Sequence, residues 1–140
     1  MKKNDAVLLV DDNEVDNFIH KNIILHLGVN QIQTTNDGKK AFAWLLERSG
    51  LINDSTNLDS VDLILLDINM PDMNGFQLLE RLTELGYGES ITKKVVILTS
   101  SLNRADRETA KIFGVKGFLN KPLTIEAAAT LLEEEPEKSE

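Results

Sequence analysis

Three unbroken apolar runs leave this chain few ways to fold: Ala6 to Val10 (AVLLV), Leu63 to Leu66 (LILL) and Val95 to Leu98 (VVIL). Each is too short for a helix and lacks the polar alternation of a strand with one wet face. Such runs read as strands covered on both faces. The first runs into Asp11-Asp12, the second into Asp67 and the third into Thr99-Ser100-Ser101. Open α/β sheets bind ligands at the carboxyl ends of their strands. An Asp closing a strand also has a plainer use, as a turn former or the cap of the next helix. One such Asp decides nothing by itself.

Between the runs the pattern turns helical. From Glu14, the residues Val15, Phe18, Ile19 and Ile23 fall at i, i+3, i+4 and i+8, with Gly28 placed as a C′ residue. Gln31 to Thr35 (QIQTT) is polar and alternates, which suits an edge strand. A second helix follows Asn36-Asp37-Gly38, with Ala41, Trp44 and Leu45 on one stripe. Ser49 to Ser60 is a long polar loop, better read as a tolerated insertion than as a partner surface. Phe76 to Leu85 is helical through Leu78, Leu82 and Leu85, after a turn holding Pro71 and Asn74-Gly75. Asn103 is placed to cap a helix reaching Phe113, with Asp106 at N3 of a capping box. Lys116 to Leu119 is a weaker strand, ended by Asn120-Lys121-Pro122. Thr124 caps a last helix striped by Ile125, Ala128, Ala129 and Leu132, and Glu133 to Glu140 forms an acidic tail.

Five strands alternating with five helices predict an α/β fold, a parallel sheet with helices on both faces. The apolar strands want central places and the polar second strand an edge. The doubly wound order 2-1-3-4-5 meets both demands and sets strands one and three side by side at the switch point. Asp11, Asp12 and Asp67 then converge, with Thr99 and Lys121 beside them.

At 140 residues the chain fits a single domain, with a core over about residues 5–133 and a tail over 134–140. A net charge of −8 argues against nucleic-acid binding, and the lack of cysteine removes disulfides and thiolate metal sites. No stretch approaches a membrane span or a signal-peptide core, so a cytoplasmic protein without a membrane partner is expected.

Three crowded carboxylates raise one another's pKa unless a cation neutralises them. All-oxygen ligands suit a hard ion such as Mg²⁺. Lys121 offers an ammonium for a phosphoryl oxygen, and Thr99 a hydroxyl. Together they outline a site where the Asp67 carboxylate acts as nucleophile and forms an aspartyl-phosphate.

These residues make the chain resemble the receiver domains of bacterial two-component response regulators, the CheY-like family of flavodoxin-like fold. The motifs are LLVDDN (Leu8 to Asn13), LILLDINMPDMNG (Leu63 to Gly75), VVILTSS (Val95 to Ser101) and GFLNKPLT (Gly117 to Thr124). The resemblance implies that Asp67 accepts the phosphoryl group and that Asp12 and Asp67 bind Mg²⁺ through their carboxylates. It implies a backbone carbonyl ligand from Asn69, and Asp11 acting mainly through a metal-bound water. Thr99 takes the place of the switch hydroxyl, Lys121 of the phosphate-pairing lysine and Phe118 of the switch aromatic, here without a tyrosine hydroxyl. Pro122 is expected after a cis peptide bond. The implied donor is a histidine kinase or phosphotransfer protein. The implied output is a surface of the fourth helix, fifth strand and fifth helix, offered to a downstream protein.

The expected unit is therefore a stand-alone switch, a phosphoacceptor and not an enzyme, or else a fragment of something larger. A haloacid-dehalogenase-type phosphatase would need a second acid two residues after the nucleophile, where Asn69 stands. A phosphorylation-independent binding module would not need the acid pair and the lysine, and a flavodoxin would need a phosphate loop after the first strand. His20 and His26 lie on different faces of the first helix and read as ordinary helix residues. Trp44 reads as core.

Overall fold

The computed structural model describes residues 6–48 and 61–133. Its elements are β1 (Ala6–Val10), α1 (Glu14–His26), β2 (Gln31–Thr35), α2 (Gly38–Arg48), β3 (Leu63–Leu66) and α3 (Gly75–Glu84). There follow α4 (Gly88–Thr92), β4 (Val95–Thr99), α5 (Arg104–Phe113), β5 (Gly117–Asn120) and α6 (Ile125–Glu133). The strands pair in the order β2-β1-β3-β4-β5, every neighbouring pair parallel. The polar strand is an edge and the three apolar strands are central, as the sequence predicts.

Period-two alternation splits each central strand between two cores. Leu8, Val10, Ile64, Leu66, Val95 and Ile97 face α2, α3, α4 and α5, meeting Ala41, Leu45, Leu78, Ile91 and Ala110. Val7, Leu9, Leu63, Leu65, Val96 and Leu98 face α1 and α6, meeting Ile24, Ala128, Leu131 and Leu132. All these side chains are essentially sealed from water. Burying a Leu or Ile stabilises by about 1.5–3 kcal/mol, so each face is a substantial anchor. With both faces of β1, β3 and β4 covered, the ends of those strands are where their polar neighbours can gather.

The structure corrects the sequence reading at several points. Six helices are described where five are expected; the extra one, α4, is a single short turn between α3 and β4. Of the apolar stripe expected in α1, only Ile23 packs against the core, and it is partly buried. Val15, Phe18 and Ile19 are exposed, while Asn17, His20 and Ile24 are buried. Trp44 is half-buried at the rim of the core, with the Arg48 guanidinium 3.7 Å above its ring. Leu85 is the exposed C-cap of α3, and Ile125 is exposed at the start of α6. The β5 strand begins one residue later than expected. Asn103 does cap α5, accepting from the Ala105 N–H, but Asp106 does not close a box with it. Ser101 stands between them, its hydroxyl donating to Asp106 at 2.6 Å and accepting from the Asn103 N–H at 3.2 Å.

Other local expectations hold. Gly28, at φ 102°, is the C′ residue of α1, a left-handed conformation that costs a side chain but not glycine. Thr124 accepts the Ala127 N–H at the start of α6, and the Lys121-Pro122 peptide is cis. The Ser49 to Ser60 loop and the tail beyond Glu133 lie outside the described residues. Among the described residues no helix is long and apolar enough to cross a membrane.

Candidate functional site

The sheet ladder fixes the candidate residues before their side chains matter. The Asp67 N–H donates to the Val10 carbonyl at 3.0 Å, and the Asp11 N–H to the Thr35 carbonyl at 3.1 Å. The Lys121 N–H donates to the Thr99 carbonyl at 2.9 Å. Each residue is thus the first beyond, or the last within, a paired strand. All five strand-end candidates rise from one edge of the sheet.

Asp11, Asp12 and Asp67 bring one carboxylate oxygen each to within 4.8 Å of the others. Asp11 and Asp67 are buried and Asp12 is exposed, which leaves the trio open on one side. Oxygen donors of full negative charge are the chemistry of a hard divalent cation, and this trio fits one. Asn69 is exposed in the loop after β3, between buried Ile68 and Met70. Its backbone N–H donates to Asp67 Oδ1 at 3.1 Å, and its side-chain amide to Thr99 Oγ1 at 3.4 Å. Thr99 is sealed from water, and its hydroxyl also accepts the Ser101 N–H at 3.2 Å.

Lys121 ties the acids together. Its Nζ stands 2.7 Å from Asp11, 2.8 Å from Asp16 and 3.0 Å from Asp67. Burial alone would lower its pKa. The hydrogen bonds to Asp11, Asp16 and Asp67 outweigh that and hold it well above the ordinary 10.5. Asp11 moves upward from 3.8, chiefly through burial and further through the Asp67 charge, against hydrogen bonds from Lys121 and the Asn13 N–H. Three carboxylates face this one ammonium, with Asp12 close by, so the acids outnumber the cation.

The sequence reading passes over two residues of this neighbourhood. Asp16, third in α1, is the unforeseen acid on Lys121. Asn17, buried beside it, donates from its side-chain nitrogen to the Asp11 carbonyl at 2.9 Å and the Thr35 carbonyl at 3.1 Å. It fastens α1 to the ends of β1 and β2. The signal was present as a polar residue one position from an apolar stripe, but it reads as an exposed helix position.

Behind Asp67 the chain closes tightly. A Cβ on Gly75 would stand 2.6 Å from the Asp67 carbonyl oxygen and 2.9 Å from Ile68 Cα. Only glycine lets α3 begin so near the Asp67 loop. Asn74 caps that helix with Gln77 in a closed capping box. Phe118 is half-buried, and the Arg107 guanidinium lies 4.6 Å from its ring centroid.

A sheet of this order, with three acids, a hydroxyl and a lysine at its carboxyl edge, defines a class. The response regulator receiver domain matches residues 7–133, and the chain belongs to that family. Receiver domains of two-component systems typically undergo phosphoryl transfer at an aspartate. Among particular relatives, Two-component response regulator 24 of Arabidopsis thaliana is 32% identical over 127 residues, 91% of this chain and 81% of that protein. Sensor histidine kinase RcsC of Salmonella typhi is 29% identical over 121 residues, and the chain spans only 11% of its length. A two component response regulator from Cytophaga hutchinsonii is 31% identical, with a TM-score of 0.75 covering 94% of this chain and 96% of that one. A CheX-CheY-BeF3-Mg+2 complex from Borrelia burgdorferi, 24% identical, shares the fold, with a TM-score of 0.74 over 91% of this chain and 86% of that chain.

Proposed function

We propose that Asp67 is the phosphoacceptor of this receiver domain, and that Asp11, Asp12 and Asp67, with the Asn69 carbonyl, hold Mg²⁺. The observation that carries this reading is the company Asp67 keeps. A buried carboxylate at a strand end has an ammonium at 3.0 Å and two more acids near enough to share one ion with it. The donor is a phosphohistidine on a histidine kinase or phosphotransfer protein. A carboxylate oxygen of Asp67 attacks phosphorus as the P–N bond breaks. That bond's electron pair stays on the imidazole nitrogen, which then takes a proton from solvent, and an acyl phosphate remains on Asp67. When bound, Mg²⁺ supplies Lewis-acid neutralisation of phosphoryl charge.

Lys121 then gives a charge-assisted hydrogen bond to one phosphoryl oxygen. Thr99 turns its hydroxyl from the loop to another, drawing the loop after β4 inward. Phe118 follows as the switch aromatic, and the face of α5, β5 and α6 shifts its population toward a downstream partner. In this reading the domain is a phosphoacceptor, not an enzyme with a free substrate. The 140-residue chain is one receiver unit, and it works in the cytoplasm, where kinases have ATP.

The test is intact mass after incubation with acetyl phosphate. Wild type should gain one phosphoryl group per chain, with Mg²⁺ only, and lose it to hydroxylamine because an acyl phosphate is a mixed anhydride. Equal labelling of Asp67→Asn would remove Asp67 from its role.

A further inference from the structure

Lys121 is placed awkwardly for metal binding. An ammonium has three donors, and all three here end on carboxylates, those of Asp11, Asp16 and Asp67. Two of these acids belong to the trio whose oxygens suit a single cation. A divalent ion and the ammonium therefore compete for the same carboxylates. If the ion simply expelled Lys121 into solvent, a phosphoryl group on Asp67 would lose the ammonium that stands 3.0 Å from that carboxylate.

Asp16 is the acceptor of Lys121 that lies outside that trio. Its place is set by the start of α1, where its backbone N–H donates to Asn13 Oδ1 at 3.0 Å. Its side chain keeps 30% of its surface in solvent, against 5% for Asp11 and 6% for Asp67. We propose that Asp16 is a positioning residue, holding the Lys121 ammonium inside the site when a divalent cation takes Asp11 and Asp67. The inference rests on the Mg²⁺ reading above. With Asp16 as its seat, Lys121 frees the donor it gave Asp67 and can turn it to a phosphoryl oxygen. The plainer account makes Asp16 only an acid favoured by the helix dipole, and it predicts no link between Asp16, Lys121 and the metal.

A double-mutant cycle on the metal separates the two accounts. Mg²⁺ dissociation constants are measured by titration calorimetry, at one ionic strength, for wild type, Asp16→Asn, Lys121→Ala and the double variant. Asp16→Asn should weaken Mg²⁺ at least ~3-fold in the wild-type background, the scale of a partly exposed ion pair. In the Lys121→Ala background the same change should have less than half that effect on the free-energy scale, and Asp16→Glu should restore most of the affinity. Equal weakening in both backgrounds would make Asp16 act on the cation directly and overturn the proposal. So would no weakening at all.

A second readout does not depend on affinity. The ammonium resonance of Lys121 should stay protected from water exchange in Mg²⁺-loaded wild type and lose protection in Mg²⁺-loaded Asp16→Asn. Equal protection in both would also overturn the role. Melting curves without Mg²⁺ establish that each variant is folded. If wild type itself binds no Mg²⁺, the metal reading falls with the proposal; if it binds and the cycle shows no coupling, only the role of Asp16 falls.

Discussion

Asp11 carries its charge where the fold disfavours it. Burial, and then the nearby Asp67 charge, raise its pKa from 3.8 despite the hydrogen bonds from Lys121 and Asn13. A carboxyl whose folded pKa lies above the unfolded value contributes stability below the unfolded pKa, and loses it as pH rises through the folded one. At neutral pH, charged Asp11 is therefore a cost to the metal-free fold. Asp11→Asn should melt higher than wild type at neutral pH without Mg²⁺, and the gain should vanish below pH 3.8. A lower melting temperature at neutral pH would mean that pairing with Lys121 outweighs burial. The residues at strand ends were legible in the sequence because an apolar run fixes where a strand stops. Asp16 was not, because an acid in the first turn of a helix already has a sufficient reason in the helix dipole.

At the scale of elements, strands were read more truly than helices. A strand buried on both faces leaves one interpretation of an apolar run. An amphipathic helix leaves two, since its apolar stripe can face either the core or the solvent. In α1 the stripe of Val15, Phe18 and Ile19 faces outward, and polar Asn17 finds hydrogen bonds inward. Helix α4 leaves no mark in the sequence because its five residues are too few to show a period. Buried His20 has a testable consequence. Burial, and the Lys121 charge, lower its pKa from 6.5, while Asp16 pulls the other way. A base with a depressed folded pKa gives its full stability above the unfolded value and loses it as pH falls toward the folded one. Denaturant titrations should show wild type losing stability as pH drops below 6.5, with a smaller loss in His20→Leu. Parallel pH profiles would mean His20 does not contribute. Helix α3 gives a second prediction, because Gly75 abuts the Asp67 carbonyl. Gly75→Ala should cost about 1–3 kcal/mol of stability, as overpacking does, and slow the acetyl phosphate labelling of Asp67. Unchanged stability and labelling would show that the loop yields without cost.

The whole molecule is two cores sharing one sheet, with its polar chemistry gathered at the carboxyl edge. That architecture was legible because three central strands and one edge strand admit few orders. The coupling proposed between site and surface is less visible in sequence, because it depends on which partner each side chain holds at a given moment. Thr99 now accepts from Asn69 and Ser101, and Lys121 is held by three acids. Thr99→Ala and Lys121→Ala should still be labelled at Asp67, Lys121→Ala more slowly. On adding beryllofluoride, wild type should show amide shifts near Asp67 and across Asn103 to Phe118, the variants mainly near Asp67. A full distant response in both variants would end the claim that this hydroxyl and ammonium carry the signal.

The last rung of the central ladder is the bond from the Asp67 N–H to Val10. That rung is a border. Behind it lie strands buried on both faces; two residues ahead lies the exposed Asn69, its N–H turned back onto Asp67 Oδ1. On the role proposed for Asp67, a phosphoryl group would join the chain where the buried ladder ends and the solvent-facing Asn69 begins.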